Sequence, residues 1–176
     1  MSVEEELKET AEEVKQPFDR KVAASMAVIA AGLAIVAVLG HFTSTEEVLL
    51  QQKASDQWAF AQAKSIRRYE SDIGRDILAA IGTPAAQKAS QEYAANINRY
   101  EKEMEEIRKE ATTFQEESRL RGLQARRLHI GEVFLEIAIV LASLAILTRR
   151  NLVWGAGLIS AALGAAIAIT TKFVHL

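Results

Sequence analysis

The sequence predicts an all-α integral membrane protein with three transmembrane helices and a long antiparallel coiled-coil helical hairpin between the first and second. Three observations carry this. The 176 residues hold 21 Lys and Arg and 23 Asp and Glu, yet mean hydropathy is close to zero. Charged and apolar residues are therefore kept in separate blocks, whereas a soluble domain interleaves them at short period. The central polar block follows helical spacing and is interrupted once, at Gly82-Thr83-Pro84.

The chain divides into a tail (1–20), a span (21–42), a hairpin (43–128), a second span (129–148), a turn (149–151) and a third span (152–173). In the acidic tail, Ser2-Val3-Glu4-Glu5 fits a capping box, and Val3, Leu7, Ala11, Val14 and Phe18 form one stripe of an amphipathic helix disturbed by Pro17. The first span contains 19 uncharged residues from Val22 to Gly40. Each apolar block is long enough to cross about 30 Å of hydrocarbon at about 1.5 Å per helical residue. The first block is longer than a signal-peptide core and lacks a small-residue cleavage site, so it reads as a retained span.

Within the hairpin, Thr43-Ser44-Thr45-Glu46 matches a capping box, which suggests that the helix restarts there rather than running straight through. The second arm carries the stronger signal. Tyr93, Ile97, Tyr100, Met104, Ile107, Ala111, Phe114, Ser118, Arg121, Ala125 and Leu128 alternate at four and three, a coiled-coil seam. In the first arm Ala59, Ile66, Ile73 and Ala80 recur at seven beside Tyr69 and Ile77, and are expected to meet that seam. Gly82 reads as a helix stop, Thr83 as an N-cap and Pro84 as a first helical residue, which makes these three the hairpin tip. Each arm would reach on the order of 60 Å if fully helical.

The second and third spans are joined only by Arg149, Arg150 and Asn151, a tight turn that returns both to one face. Arg20 and Lys21 before span one, together with Arg149 and Arg150, favour a cytoplasmic N-terminus. Arg119, Arg121, Arg126 and Arg127, before span two, weigh against it and are expected to meet lipid headgroups. Without interleaved aromatics, and with a net charge of −2, they do not suggest nucleic acid. Trp154 and Phe42 sit where interfacial aromatics belong.

The candidate site is an intramembrane polar cluster. His129, Glu132 and Glu136 share a face of span two, and the antiparallel layout puts His41, His129 and His175 at similar depth. Such a cluster suits a proton-responsive or divalent-cation site, or interfacial residues paired with neighbouring arginines. No metal-ligand spacing, cofactor motif or nucleophile–base pair stands out, and cysteine is absent, so an enzyme is not expected. Small residues Ala23, Ala27 and Ala31 in span one, and Gly157, Ala161 and Ala165 in span three beside Ser160, Gly164 and Ala168, would let helices approach closely. With Leu120 and Leu123 off the seam, they point to a homo-oligomer.

The run from His41 to Ile66, with Asp56-Gln57-Trp58 followed by Gln62-Ala63-Lys64, resembles the signature stretch of an uncharacterised bacterial membrane family, the domain-of-unknown-function 4337 family. Phe60 and Ala61 depart mildly from its aromatic pattern. The resemblance covers most of the chain and implies a multi-pass protein of the bacterial inner (cytoplasmic) membrane; it carries no activity. The function expected is structural or scaffolding, with the hairpin offered to copies of itself or to a protein partner. The alternative is a channel or transporter subunit using Glu132 and Glu136 for proton or cation passage.

Overall fold

The computed structural model describes residues 17–173. It holds α1 (Pro17–Ile81), α2 (Pro84–Thr148), α3 (Asn151–Thr170) and a closing 3-10 turn (Thr171–Phe173), with no strand among the described residues. The amphipathic tail expected before Pro17 lies outside them. Pro17 opens α1, where its missing N–H is no loss. The chain forms two compact units: one takes residues up to Ser44 and from Arg121 onward, the other is Thr45–Leu120.

No helix restarts at Thr43. α1 is continuous there, and the Thr43 hydroxyl donates to Leu39 O at 2.8 Å, the backward bond of a helix-interior threonine rather than a cap.

The Thr45–Leu120 unit is an antiparallel helical hairpin. Gly82 sits at φ +69, the left-handed conformation that ends helices and that a side chain would oppose. Thr83 Oγ1 accepts from Ala86 N at 3.2 Å, so Thr83 is the N-cap and Pro84 the first helical residue of α2. Partners across the arms are equidistant from the tip. Lys53 lies over Phe114 and Lys64 over Tyr100 at 5.7 and 5.5 Å from the ring centres; Gln57 donates to Glu110 at 3.1 Å.

The second arm packs largely as its spacing predicts: Ile97, Met104, Ile107, Ala111 and Ser118 are buried, with Tyr100 and Phe114 half-buried, whereas Tyr93 and Arg121 of the expected seam are exposed. The first arm does not. Ile66 and Ile73 are 53% and 61% exposed, Tyr69 and Ile77 are likewise exposed, and Ala59 and Ala80 face outward with them. The face turned to α2 is instead Leu50, Ala54, Gln57, Ala61, Lys64, Arg68, Ser71, Arg75 and Leu78, all buried or half-buried at alternating three and four. The physical reason is volume. The large side chains come from α2, so α1 needs small residues beneath them and cationic stems lying over the rings. Gly74 shows the fit, since a Cβ there would stand 2.8 Å from the Tyr93 ring.

In the other unit, Val22 and Ile29 of α1 pack on Leu135, Ala138, Ala142 and Ala145 of α2. α2 and α3 meet backbone to backbone. A Cβ on Gly131 would lie 2.8 Å from Gly164 O, and one on Gly164 would lie 2.6 Å from Gly131 O. Ser160 Oγ donates to Phe134 O at 2.7 Å. Gly157, Ser160 and Gly164 are thus spent within the chain, while Ala23, Ala27, Ala31 and Ala165 are exposed. In the tight turn Arg149 takes φ 52 and Arg150 stands at the N-cap without a side-chain capping bond. Each of the three helices contains an 18-residue window apolar enough to cross a membrane, and no more than 28% of any such window is buried within the chain.

Candidate functional site

The membrane-length unit assembles a polar relay that the sequence shows only in part. His129 and Glu132 lie one turn apart on α2, and His129 Nδ1 is 3.1 Å from Glu132 Oε2. Its other nitrogen, Nε2, is 3.0 Å from Ser44 Oγ on α1. Gly40 admits the ring: a Cβ there would already touch His129 Cε1 at 3.4 Å. An ionised Glu132 only accepts, so a neutral His129 donates through Nδ1 and accepts the Ser44 hydroxyl at Nε2. A protonated ring donates to both, and Ser44 then accepts.

The order serine, histidine, carboxylate is that of a nucleophile, its base and an orienting acid. Ser44 lies inside an unbroken helix, where its backbone N–H is committed to the preceding turn. Among the described residues, no three His, Asp or Glu side chains converge as metal ligands.

The remaining predicted site residues are dispersed. Glu136 is exposed on the surface of α2, one turn beyond Glu132, and His41 is exposed on α1; His175 lies outside the described residues. Arg127 Nη1 donates to Thr170 O at 3.3 Å, joining α2 to the end of α3, and Arg121 donates to Gln124 at 3.2 Å. Arg126 is exposed, and Arg119, in the hairpin unit, pairs with Glu116 at 2.9 Å. Ser44 has no motif of its own; only the antiparallel return, which closes an 85-residue separation, brings it to His129. Trp154 is similar: beyond its aromatic contact with Phe18, its indole N–H donates to Ser25 Oγ at 3.1 Å.

In the hairpin unit the polar chemistry is cross-arm pairing. Arg68 meets Glu101 at 2.9 Å, and Lys64 meets Glu103. The hydrogen bond from Lys64 holds the Glu103 carboxyl below the usual carboxylate range, helped by the positive charges of Lys64, Arg99 and Arg67. The Glu101 hydrogen bond correspondingly raises the Arg68 pKa.

Taken together, these features define an all-helical protein with three helices apolar enough to span a bilayer and a polar helical hairpin. The chain belongs to the family described as Domain of unknown function (DUF4337), which matches residues 18–174. Comparison with curated proteins and with solved structures gave no match.

Proposed function

We propose that this is a membrane-anchored structural or scaffolding protein that offers its coiled-coil hairpin for self-association or to a protein partner. The observation that carries the reading is the split between the two units' surfaces. Val28, Ile35, Val140, Leu147, Leu152 and Ile159 are all more than 60% exposed in the membrane-length unit. Water would penalise that surface and lipid would not. The hairpin unit is held by cross-arm packing and ion pairs, and its hollows are open grooves, such as the one lined by Ser65, Arg68, Tyr69 and Met104. Such open grooves suit the docking of another helix, which supports the scaffold reading. The membrane is the bacterial inner membrane, with the N-terminus cytoplasmic and Arg119, Arg121, Arg126 and Arg127 near phosphate headgroups.

The test uses the absence of native cysteine. Gln57→Cys with Glu110→Cys should form a disulfide within one chain in native membranes, and the chain should resist alkaline carbonate extraction. Release into the supernatant would end the reading, and failure of the bridge would remove its hairpin. Protease added to spheroplasts, which expose the outer face of the inner membrane, should cut near Thr83; protection there with cutting in inverted vesicles would reverse the orientation.

A second reading rests on Glu136. A carboxylate at the surface of an apolar helix costs about 2.5–3.5 kcal/mol at mid-span unless protein or water meets it. In a channel or transporter subunit, Glu132 and Glu136 would supply a proton or cation path. Liposome flux abolished by Glu132→Gln with Glu136→Gln would favour it; flux that is absent or unaffected would dismiss it.

A further inference from the structure

We propose that the membrane-length unit holds the phosphodiester headgroup of an anionic phospholipid at the end where α1 and α3 begin, gripped between Lys21 and Arg150 beside Trp154. The inference rests on the membrane-anchored reading and names the lipid chemistry that its base engages.

Trp154 fixes the geometry. Its ring meets Phe18 of α1 edge-on at 6.1 Å between centroids, and its indole N–H donates to Ser25 Oγ at 3.1 Å. Phe18 and Ser25 share one face of α1, and Lys21 lies between them, one turn from each. Lys21 is therefore on the flank of α1 turned to α3. On the other side, Arg150 is the N-cap of α3, and its carbonyl accepts from Trp154 N at 3.4 Å. That puts Arg150 one turn before the same indole. The two cations bracket one aromatic side chain, and both are exposed.

Charge gives the ligand's sign. Neither Lys21 nor Arg150 has an ion-pair partner among the described residues. At the opposite end of the unit Arg127 donates to Thr170 O and Arg121 to Gln124. Asp19, the acid in the first turn of α1, is two residues from Lys21 and so on the other side of the helix, with Oδ1 buried. Arg149, next in the turn, adds a third positive charge. An anion with several acceptor oxygens fits between such donors.

Depth selects the source of that anion. Trp154 lies in the first turn of an apolar helix, where interfacial indoles belong. Arg150 stands one turn, about 5 Å, further out. Headgroups occupy a layer of about that thickness outside the hydrocarbon. The phosphates of a membrane spanned by α3 therefore lie level with Lys21 and Arg150. An anionic lipid is favoured over a zwitterionic one because its headgroup brings no cation for them to repel.

Vesicles test this with the full-length chain. Trp58→Phe leaves Trp154 as the sole tryptophan. In mixed phosphatidylcholine and phosphatidylglycerol vesicles, bromine on the phosphatidylglycerol acyl chains should quench Trp154 more than bromine on phosphatidylcholine at the same mole fraction. The relative binding constant should favour phosphatidylglycerol at least about fivefold. Lys21→Gln with Arg150→Gln should abolish that preference, and Lys21→Arg with Arg150→Lys should keep it. Arg20→Gln is the decisive control. Arg20 is exposed and equally charged, but it is two residues from Val22, which faces the bundle, and so it points away. Its loss should change the preference less than about twofold.

Equal losses for Arg20→Gln and Lys21→Gln would mean a diffuse field and overturn the site. So would a preference unchanged by Lys21→Gln with Arg150→Gln. Displacement by inorganic phosphate, at an ionic strength where sodium chloride has no effect, would make free phosphate the ligand and overturn the lipid. Residues 1–16 hold six Glu against two Lys. A preference that emerges only when residues 2–16 are deleted would make that acidic segment the occupant and overturn the lipid too. A chain retained in carbonate-washed membranes without lipid preference fails this inference alone; a chain that carbonate extracts fails the membrane reading beneath it.

Discussion

The two arms of the hairpin are built from opposite polarity patterns. α2 turns Ile97, Met104 and Ile107 inward and Lys102 and Lys109 outward. α1 turns Gln57, Lys64, Arg68 and Arg75 inward and Ile66, Tyr69 and Ile73 outward. A two-helix interface needs one set of bulky apolar side chains, and when one arm supplies them the other is free to contribute small residues and alkyl stems. Ala54 and Ala61 are 5% and 3% exposed, so they are packed at least as deeply as Ile97, Met104 and Ile107 of α2. The hydrophobic stripe of a helix therefore marks a face that wants a partner, but not which partner.

The contrast breaks most visibly under charge. Ile97→Asp with Ile107→Asp buries two unpaired carboxylates and should open the hairpin, with loss of helical circular dichroism and of the Gln57→Cys, Glu110→Cys bridge. Ile66→Asp with Ile73→Asp should leave both intact. Should both pairs of substitutions open the hairpin equally, the two faces are not distinct.

Truncation sharpens the same comparison. Ile107→Ala should cost about 2–4 kcal/mol of hairpin stability by denaturant titration of the detergent-solubilised monomer. Ile73→Ala in that monomer should cost less than about 0.5 kcal/mol. At the tip, where neither face is involved, Gly82→Ala and Thr83→Ala should each cost about 1 kcal/mol, the first through left-handed strain and the second through a lost cap. Equal costs for Ile107→Ala and Ile73→Ala would erase the contrast.

The smallest effect is pH-dependent. Glu103 has a folded pKa below its ordinary 4.5. Its contribution is then fully present above the unfolded value and is lost as pH falls through the folded one. The melting temperature should drop as pH falls below 4.5, and Glu103→Gln should flatten that limb without altering the neutral plateau's slope. An acid limb unchanged by Glu103→Gln would show that Lys64 does not hold the carboxylate across the arms.

Local chemistry was legible in advance. Gly82, Thr83 and Pro84 act through their own backbone preferences, so the elbow follows from three letters. The α2 seam was legible because its bulky residues face both the repeat and the partner. The three apolar runs were legible because hydrophobicity summed over about 20 residues needs no neighbour to interpret. The Thr43 capping box misled, because tertiary continuity of α1 overrode a local preference worth about 1 kcal/mol.

What only the tertiary structure decided is pairing. The sequence by itself determined that there are helices, where they turn and which segments are long and apolar enough to cross a membrane, since each of those depends on residues within a few turns of one another. It did not determine that α1 presents Ala61 and Lys64 rather than Ile66 to α2, that Ser44 reaches His129, or that Gly131 lies against Gly164. Those contacts depend on the volumes and hydrogen-bonding groups of side chains many turns away, and they exist only once the register about the Gly82 elbow has brought both surfaces together.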